Sequence, residues 1–164
     1  MSEAQVLEAV DARRNGLIEF AQRLLSIPSE NPPGNEDKVA EAIRAVAEQY
    51  SLEDVKVIGR EPSRPSVLAT LKGDGPGRRL LYTGHTDVVL VGEDERPHWR
   101  ADPYDAKIID GELYGRGAAD MKGPVASMLY GAIALKESRA PFGGELVLAF
   151  TADEENGGYY GDHR

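Results

Sequence analysis

The sequence predicts an α/β fold built on a mixed, mostly parallel sheet flanked by helices on both faces. Three observations carry this. Helix-like and strand-like stretches alternate along the chain, and the strand-like ones are continuous apolar runs, as in "ELVLAF" (145–150), the pattern of strands covered on both sides. The chain has 164 residues, is 41% hydrophobic and contains no cysteine, so it can bury one core without disulfides.

Taken in order, Leu17, Phe20, Ala21, Leu24 and Leu25 recur at helical spacing. After the break "PSENPPG", so do Val39, Ile43, Val46, Ala47 and Tyr50. Two amphipathic helices therefore open the chain. The short runs "VKVI" (55–58), "SVLATL" (66–71) and "RLLYTG" (79–84) are strands, the last two expected as neighbours across the "KGDGPG" turn. A polar loop rich in Asp, Pro and Trp leads to "AKIIDGELYG", whose Asp110-Gly111 centre signals a hairpin. "GPVASMLYGAIALKES" is a helix with Pro124 in its first turn, and "ELVLAF" is a further strand, expected at an exposed sheet edge.

Composition excludes several classes of function. The net charge of -9 argues against nucleic acid and anionic membranes as partners. With no thiolate available, any metal must be held by His, Asp or Glu. The first residues lack a basic start and an apolar signal core, and no later run approaches the roughly 18–20 apolar residues of a membrane span. A cytoplasmic location is the expectation.

Three clusters carry chemistry. His85 and Asp87 follow the strand "RLLYTG" two positions apart, so in extended chain their side chains share a face. A carboxylate can then accept from one imidazole nitrogen while the other binds a metal; a buried structural His–Asp pair fits the spacing equally. In "GRGAADMKG" (115–123) a glycine-rich loop precedes a helix. A nucleotide site there is disfavoured by Asp120, which would repel a pyrophosphate, leaving Asp120 as a metal ligand or as a helix cap. In "TADEENGG" (151–158) Glu154 and Glu155 point different ways, so one can ligate a metal while the other acts as general base; a solvated acidic turn is the plainer alternative. All three clusters lie just beyond apolar segments, where α/β sheets bind their ligands.

The motifs "GHTDVV" (84–89), "HWRADPY" (98–104), "DGELYGRGAADMKG" (110–123) and "TADEENGG", with "SIPSENPPG" (26–34) as a weaker match, resemble the M20 metallopeptidase and deacylase family. Within it the pattern is nearest to the acetylornithine deacetylase and succinyl-diaminopimelate desuccinylase branch. The resemblance implies a zinc-exopeptidase-like fold and a centre of two divalent ions, zinc first, with cobalt or manganese as alternatives. It makes His85 a ligand of one ion, Asp87 its supporting partner, Asp120 the bridge, Glu155 a ligand of the other ion and Glu154 the general base. It also implies a cis peptide after Asp120 and places His98 and Trp99 in a wall of the site, with no ligand role for His98 and none for His163.

The reaction so implied is hydrolysis of the amide bond of an N-acyl amino acid or small peptide by a water activated at the dinuclear centre, in a homodimeric parent. Residues 1–164 correspond to the N-terminal part of the catalytic domain. The lid and dimerisation domain and the C-terminal part of the catalytic domain are absent, so each ion keeps two ligands where catalytic zinc normally takes three. This chain alone is therefore expected to be inactive. The alternative is a binding or regulatory remnant that keeps the fold and weak metal affinity.

Overall fold

A computed structural model describes residues 3–160. His163 lies outside them. Helices α1 (Glu3–Leu25) and α2 (Asp37–Gln49) are followed by strands β1 (Glu53–Ile58), β2 (Ser66–Lys72) and β3 (Gly75–His85). The hairpin β4 (Lys107–Ile109) and β5 (Glu112–Tyr114), helix α3 (Lys122–Ser138) and strand β6 (Gly143–Thr151) complete the order. The hairpin turns at Asp110-Gly111, both at positive φ (55° and 84°), as the dipeptide predicts.

The four-stranded sheet runs β1-β2-β6-β3. The α/β class and the mixed sheet are as expected, but the balance differs from a mostly parallel sheet. β1 pairs with β2 and β2 with β6 antiparallel, and only β3 and β6 are parallel. The connections explain this. A parallel pair needs a long crossover, which α3 supplies between β3 and β6, while the short link from β1 to β2 permits only an antiparallel return. Two further expectations are corrected. β2 and β3 are not neighbours, because β6 enters between them. β6 is accordingly a central strand, its apolar run paired on both sides, and the edge falls to β3.

One face of the sheet is covered. Val67, Ala69 and Leu71 of β2 lie opposite Phe150, Leu148 and Leu146 of β6, and all six are buried in one core with Phe20 and Leu24 of α1, Val39 and Ile43 of α2, and Val125, Leu129 and Ile133 of α3. α1 approaches α3 closely at Gly16, where a Cβ would meet the Tyr130 ring at 3.1 Å. The opposite face differs from the expected second helical layer. Among the described residues, Leu68, Val147 and Ala149 remain partly exposed and Leu81 is exposed. No described helix is long and apolar enough to cross a membrane.

Candidate metal centre

The parallel pairing of β3 and β6 builds the site. It brings the carboxyl ends of both strands to the same edge, with His85 opposite Thr151. The Thr86 amide donates to the Thr151 carbonyl at 2.8 Å, which keeps the two exits together. The chain beyond β3 stays extended because residues 29–31 pair with it: Val88 N donates to Ser29 O at 3.0 Å and Asn31 N to Val88 O at 2.9 Å. Beyond β6, Asp153 takes a left-handed conformation (φ 68°) and starts a short 3-10 turn over Glu154–Asn156. Asp120 arrives from the loop before α3, and the Asp120–Met121 peptide is cis. That loop passes so near Val88 that a Cβ at Gly117 (φ 89°) would meet its Cγ1 at 3.0 Å.

The three clusters converge. One donor atom from each of His85, Asp120 and Glu155 lies within 4.8 Å of the others. His85 Nε2 is 3.0 Å from Asp120 Oδ1 and 3.7 Å from Glu154 Oε2. His85 Nδ1 donates to the backbone carbonyl of Asp87 at 3.0 Å, with the Asp87 carboxylate at 3.4 Å. A carbonyl only accepts, so in the neutral ring the proton sits on Nδ1 and the Nε2 lone pair faces the carboxylates. The buried Asp87 also accepts from the amides of Glu154 (3.1 Å) and Glu155 (3.0 Å) and from Asn31 Nδ2 (2.7 Å). It thereby ties the strand ends to each other.

The charges in the cluster perturb one another. Burial would lower the His85 pKa, but hydrogen bonds to Asp87 and Asp120 outweigh it and raise the value to about 9. Burial would raise Asp87, but His85, Asn31 and the two turn amides hold it below the usual range. Burial and the neighbouring Asp120, Asp87 and Glu154 push Glu155 up, with His85 opposing. One imidazole facing several carboxylates, with Glu155 raised by burial and by its acidic neighbours, is a donor set suited to a divalent cation, which would relieve that repulsion.

Sequence comparison agrees with this geometry. Residues 81–163, just over half of the chain, match the model of peptidase family M20/M25/M40. The chain belongs to that family. It is 42% identical over 142 residues to the succinyl-diaminopimelate desuccinylase of Methylobacterium radiotolerans, covering 84% of this chain and 34% of that protein. Among solved structures, a dipeptidase of Saccharomyces cerevisiae superposes with a TM-score of 0.81 at 23% identity, covering 96% of this chain and 36% of that one. A dinuclear metal-binding M20 peptidase of Bacillus subtilis matches with a TM-score of 0.60 at 19% identity, over 88% and 36% of the two chains. This member of the M20 family thus spans about a third of the length of the curated relatives it matches.

Other residues fall around the centre. Trp99 lines a cavity of about 330 Å³ that reaches Asp120, with the Arg116 guanidinium 5.2 Å from its ring. His98 is exposed in the preceding 3-10 turn, apart from the cluster. Sequence reasoning passed over four buried residues beneath the site. Asn31 lies in the quoted "SIPSENPPG" but received no role, and Glu36, Arg64 and Lys122 (0%, 7% and 0% exposed) received none either. Lys122 follows Asp120 by two positions and its ammonium donates to the Ile27 carbonyl at 2.5 Å. A lysine at the start of an apolar helix and two positions after a candidate ligand was the available signal for it.

Proposed function

We propose that the chain is the N-terminal part of the catalytic domain of a metal-dependent hydrolase that cleaves the amide bond of an N-acyl amino acid or small peptide. The observation that carries this reading is the convergence of His85, Asp120 and Glu155, with Glu154 beside them, at the carboxyl ends of two parallel strands. His85, Asp120 and Glu155 would hold divalent metal, zinc suiting this donor set, and Asp120 would be the ligand shared if two ions bind. Bound there, metal would supply Lewis acidity for a scissile carbonyl and for water.

The chain's own groups do the rest. Asp87 fixes the His85 ring through its backbone carbonyl and fixes the turn through two amides. Glu154, with its side chain 54% exposed, is free to take a proton from the attacking water and return it to the departing nitrogen. The desuccinylase relative supports an N-acyl substrate and the dipeptidase neighbour a peptide, so both remain within the proposed class. The substrate-recognising groups, the homodimer and full activity are assigned to the longer protein.

The test is hydrolysis of N-succinyl and N-acetyl amino acids and of dipeptides by the longest product of the gene, loaded with zinc. E154Q is expected to lower kcat by about 10²–10⁴-fold while zinc uptake is unchanged. Activity that survives E154Q removes Glu154 as the base. Zinc uptake without hydrolysis of any of these substrates favours the binding remnant.

A further inference from the structure

Beneath the metal-ligand turn lies an ionic network that the family-matching segment only half contains. Arg64, in the loop between β1 and β2, donates from Nη2 to Glu36 Oε1 at 3.0 Å and to Asp153 Oδ1 at 2.7 Å. Asp153 Oδ1 also accepts from Asn31 Nδ2 at 2.9 Å, and its Oδ2 accepts from the Tyr160 amide at 3.1 Å. Glu36, Arg64 and Asp153 are 0%, 7% and 1% exposed, and the Arg64 guanidinium lies 4.7 Å from the Tyr160 ring centre.

Arg64 is itself held rigidly. Ser63 O accepts from the amides of Glu36 (2.8 Å) and Asp37 (3.2 Å) at the start of α2, so the loop is pinned to that helix. Gly34 (φ 84°) packs so tightly that any Cβ there would lie 2.2 Å from the guanidinium carbon. Two buried carboxylates share this cation, and one of them belongs to the residue immediately before Glu154 and Glu155.

We propose that Arg64 is a positioning residue for the metal centre: through Asp153 it fixes the left-handed turn that aims Glu154 and Glu155, just as Asp87 fixes the same turn through its amides. The inference rests on the metal reading of the site. Asp153 touches none of His85, Asp120 or Glu155 by any hydrogen bond described, so Arg64 acts on the ligands by orientation alone. A residue that merely neutralises buried acid would affect folding and leave the ligand geometry untouched.

The experiment separates these. Zinc titration calorimetry, the visible spectrum of the Co²⁺-loaded protein and amide hydrogen exchange at residues 154–155 are measured on the parent chain, R64K, R64M, D153N and E36Q. Lysine keeps the charge but not the planar fork that reaches two carboxylates. R64K and R64M are expected to bind zinc about 10–100-fold more weakly, with an altered Co²⁺ spectrum and faster exchange at residues 154–155 in the metal-free protein. E36Q is expected to lower thermal stability and leave zinc affinity and the Co²⁺ spectrum unchanged. Folded R64K or R64M with parental affinity, spectrum and exchange overturns the inference, as does an equal loss in E36Q. Should the Arg64 variants fail to fold, D153N decides, since asparagine tolerates the left-handed backbone: weakened zinc supports the inference and unchanged zinc overturns it. A parent that takes up no zinc overturns the metal reading itself, an outcome distinct from equal uptake by parent and variants.

Discussion

His85 Nε2 and Asp120 Oδ1 lie 3.0 Å apart, although they leave different elements 35 positions apart in sequence. In the metal-free protein this contact is a charged hydrogen bond, because the imidazole pKa is raised to about 9. An imidazole ligates metal only in its neutral form, so binding displaces that proton. Zinc affinity is therefore expected to rise about tenfold per unit as pH increases toward 9, and to level off above it. Calorimetry in buffers of contrasting ionisation enthalpy should count one proton released near neutrality. A pH-independent affinity would show that the ion does not use His85.

Two buried cations give the chelated protein opposing pH slopes. His85 rises from an ordinary 6.5 to about 9 on folding, so its stabilisation is complete below the lower value and is lost as pH climbs to the upper. Lys122 is pushed down by burial from 10.5 to about 7, with Asp87 and Glu36 opposing; folding must therefore expel its proton below 10.5, and stability rises with pH across that interval. Between about pH 7 and 9 the two contributions offset each other. Urea unfolding in the presence of chelator is expected to show a shallow profile for the parent, a rising one for H85Q and a falling one for K122M. Identical slopes in all three would remove both assignments.

Asp87 is the residue whose loss leaves the most behind. Its carboxylate accepts from Asn31 and from the Glu154 and Glu155 amides, all at a residue with no exposed surface. D87A strands those donors and is expected to cost about 3 kcal/mol or more of stability. D87N, which keeps one acceptor oxygen, is expected to cost less. Both should weaken zinc binding about 10–100-fold. Denaturant midpoints and zinc titrations of the two variants check the order; equal stability of D87A and the parent would contradict the hydrogen-bond assignment.

How legible each part was in the sequence depended on how locally its cause is written. The hairpin at Asp110-Gly111 and the helix over Lys122–Ser138 follow from turn chemistry and periodicity, and both were readable. That His85, Asp120 and Glu155 come together was readable, because each lies at a strand end or just before a helix within a distinctive motif. Arg64 was not, since its partners Glu36 and Asp153 stand 28 and 89 positions away and no local pattern marks the pairing. Strand order failed for a similar reason. β2 and β6 are both apolar runs, and nothing within either run states that β6 enters between β2 and β3.

That strand order places the adhesive surface on β3 instead of β6. β3 is an edge strand, and Leu80, Leu81 and Tyr82 in its middle are 53%, 57% and 43% exposed. Leu81 lies opposite Val147, on the sheet face that no described helix covers, so the bare face and the open edge meet at this residue. A long apolar edge offers unpaired backbone groups and side chains to a second strand, and no proline interrupts it beyond Pro76 near its start. The 164-residue chain is therefore expected to self-associate with increasing concentration, and L81E to suppress this while changing stability by no more than about 0.5 kcal/mol. Sedimentation velocity over a concentration series, with thermal unfolding alongside, reads both quantities. A parent that stays monomeric, or an L81E variant that associates as the parent does, would place the contact elsewhere. An L146E variant at the buried partner of Leu80 should fail to fold, because Leu146 sits within the core and Leu81 does not.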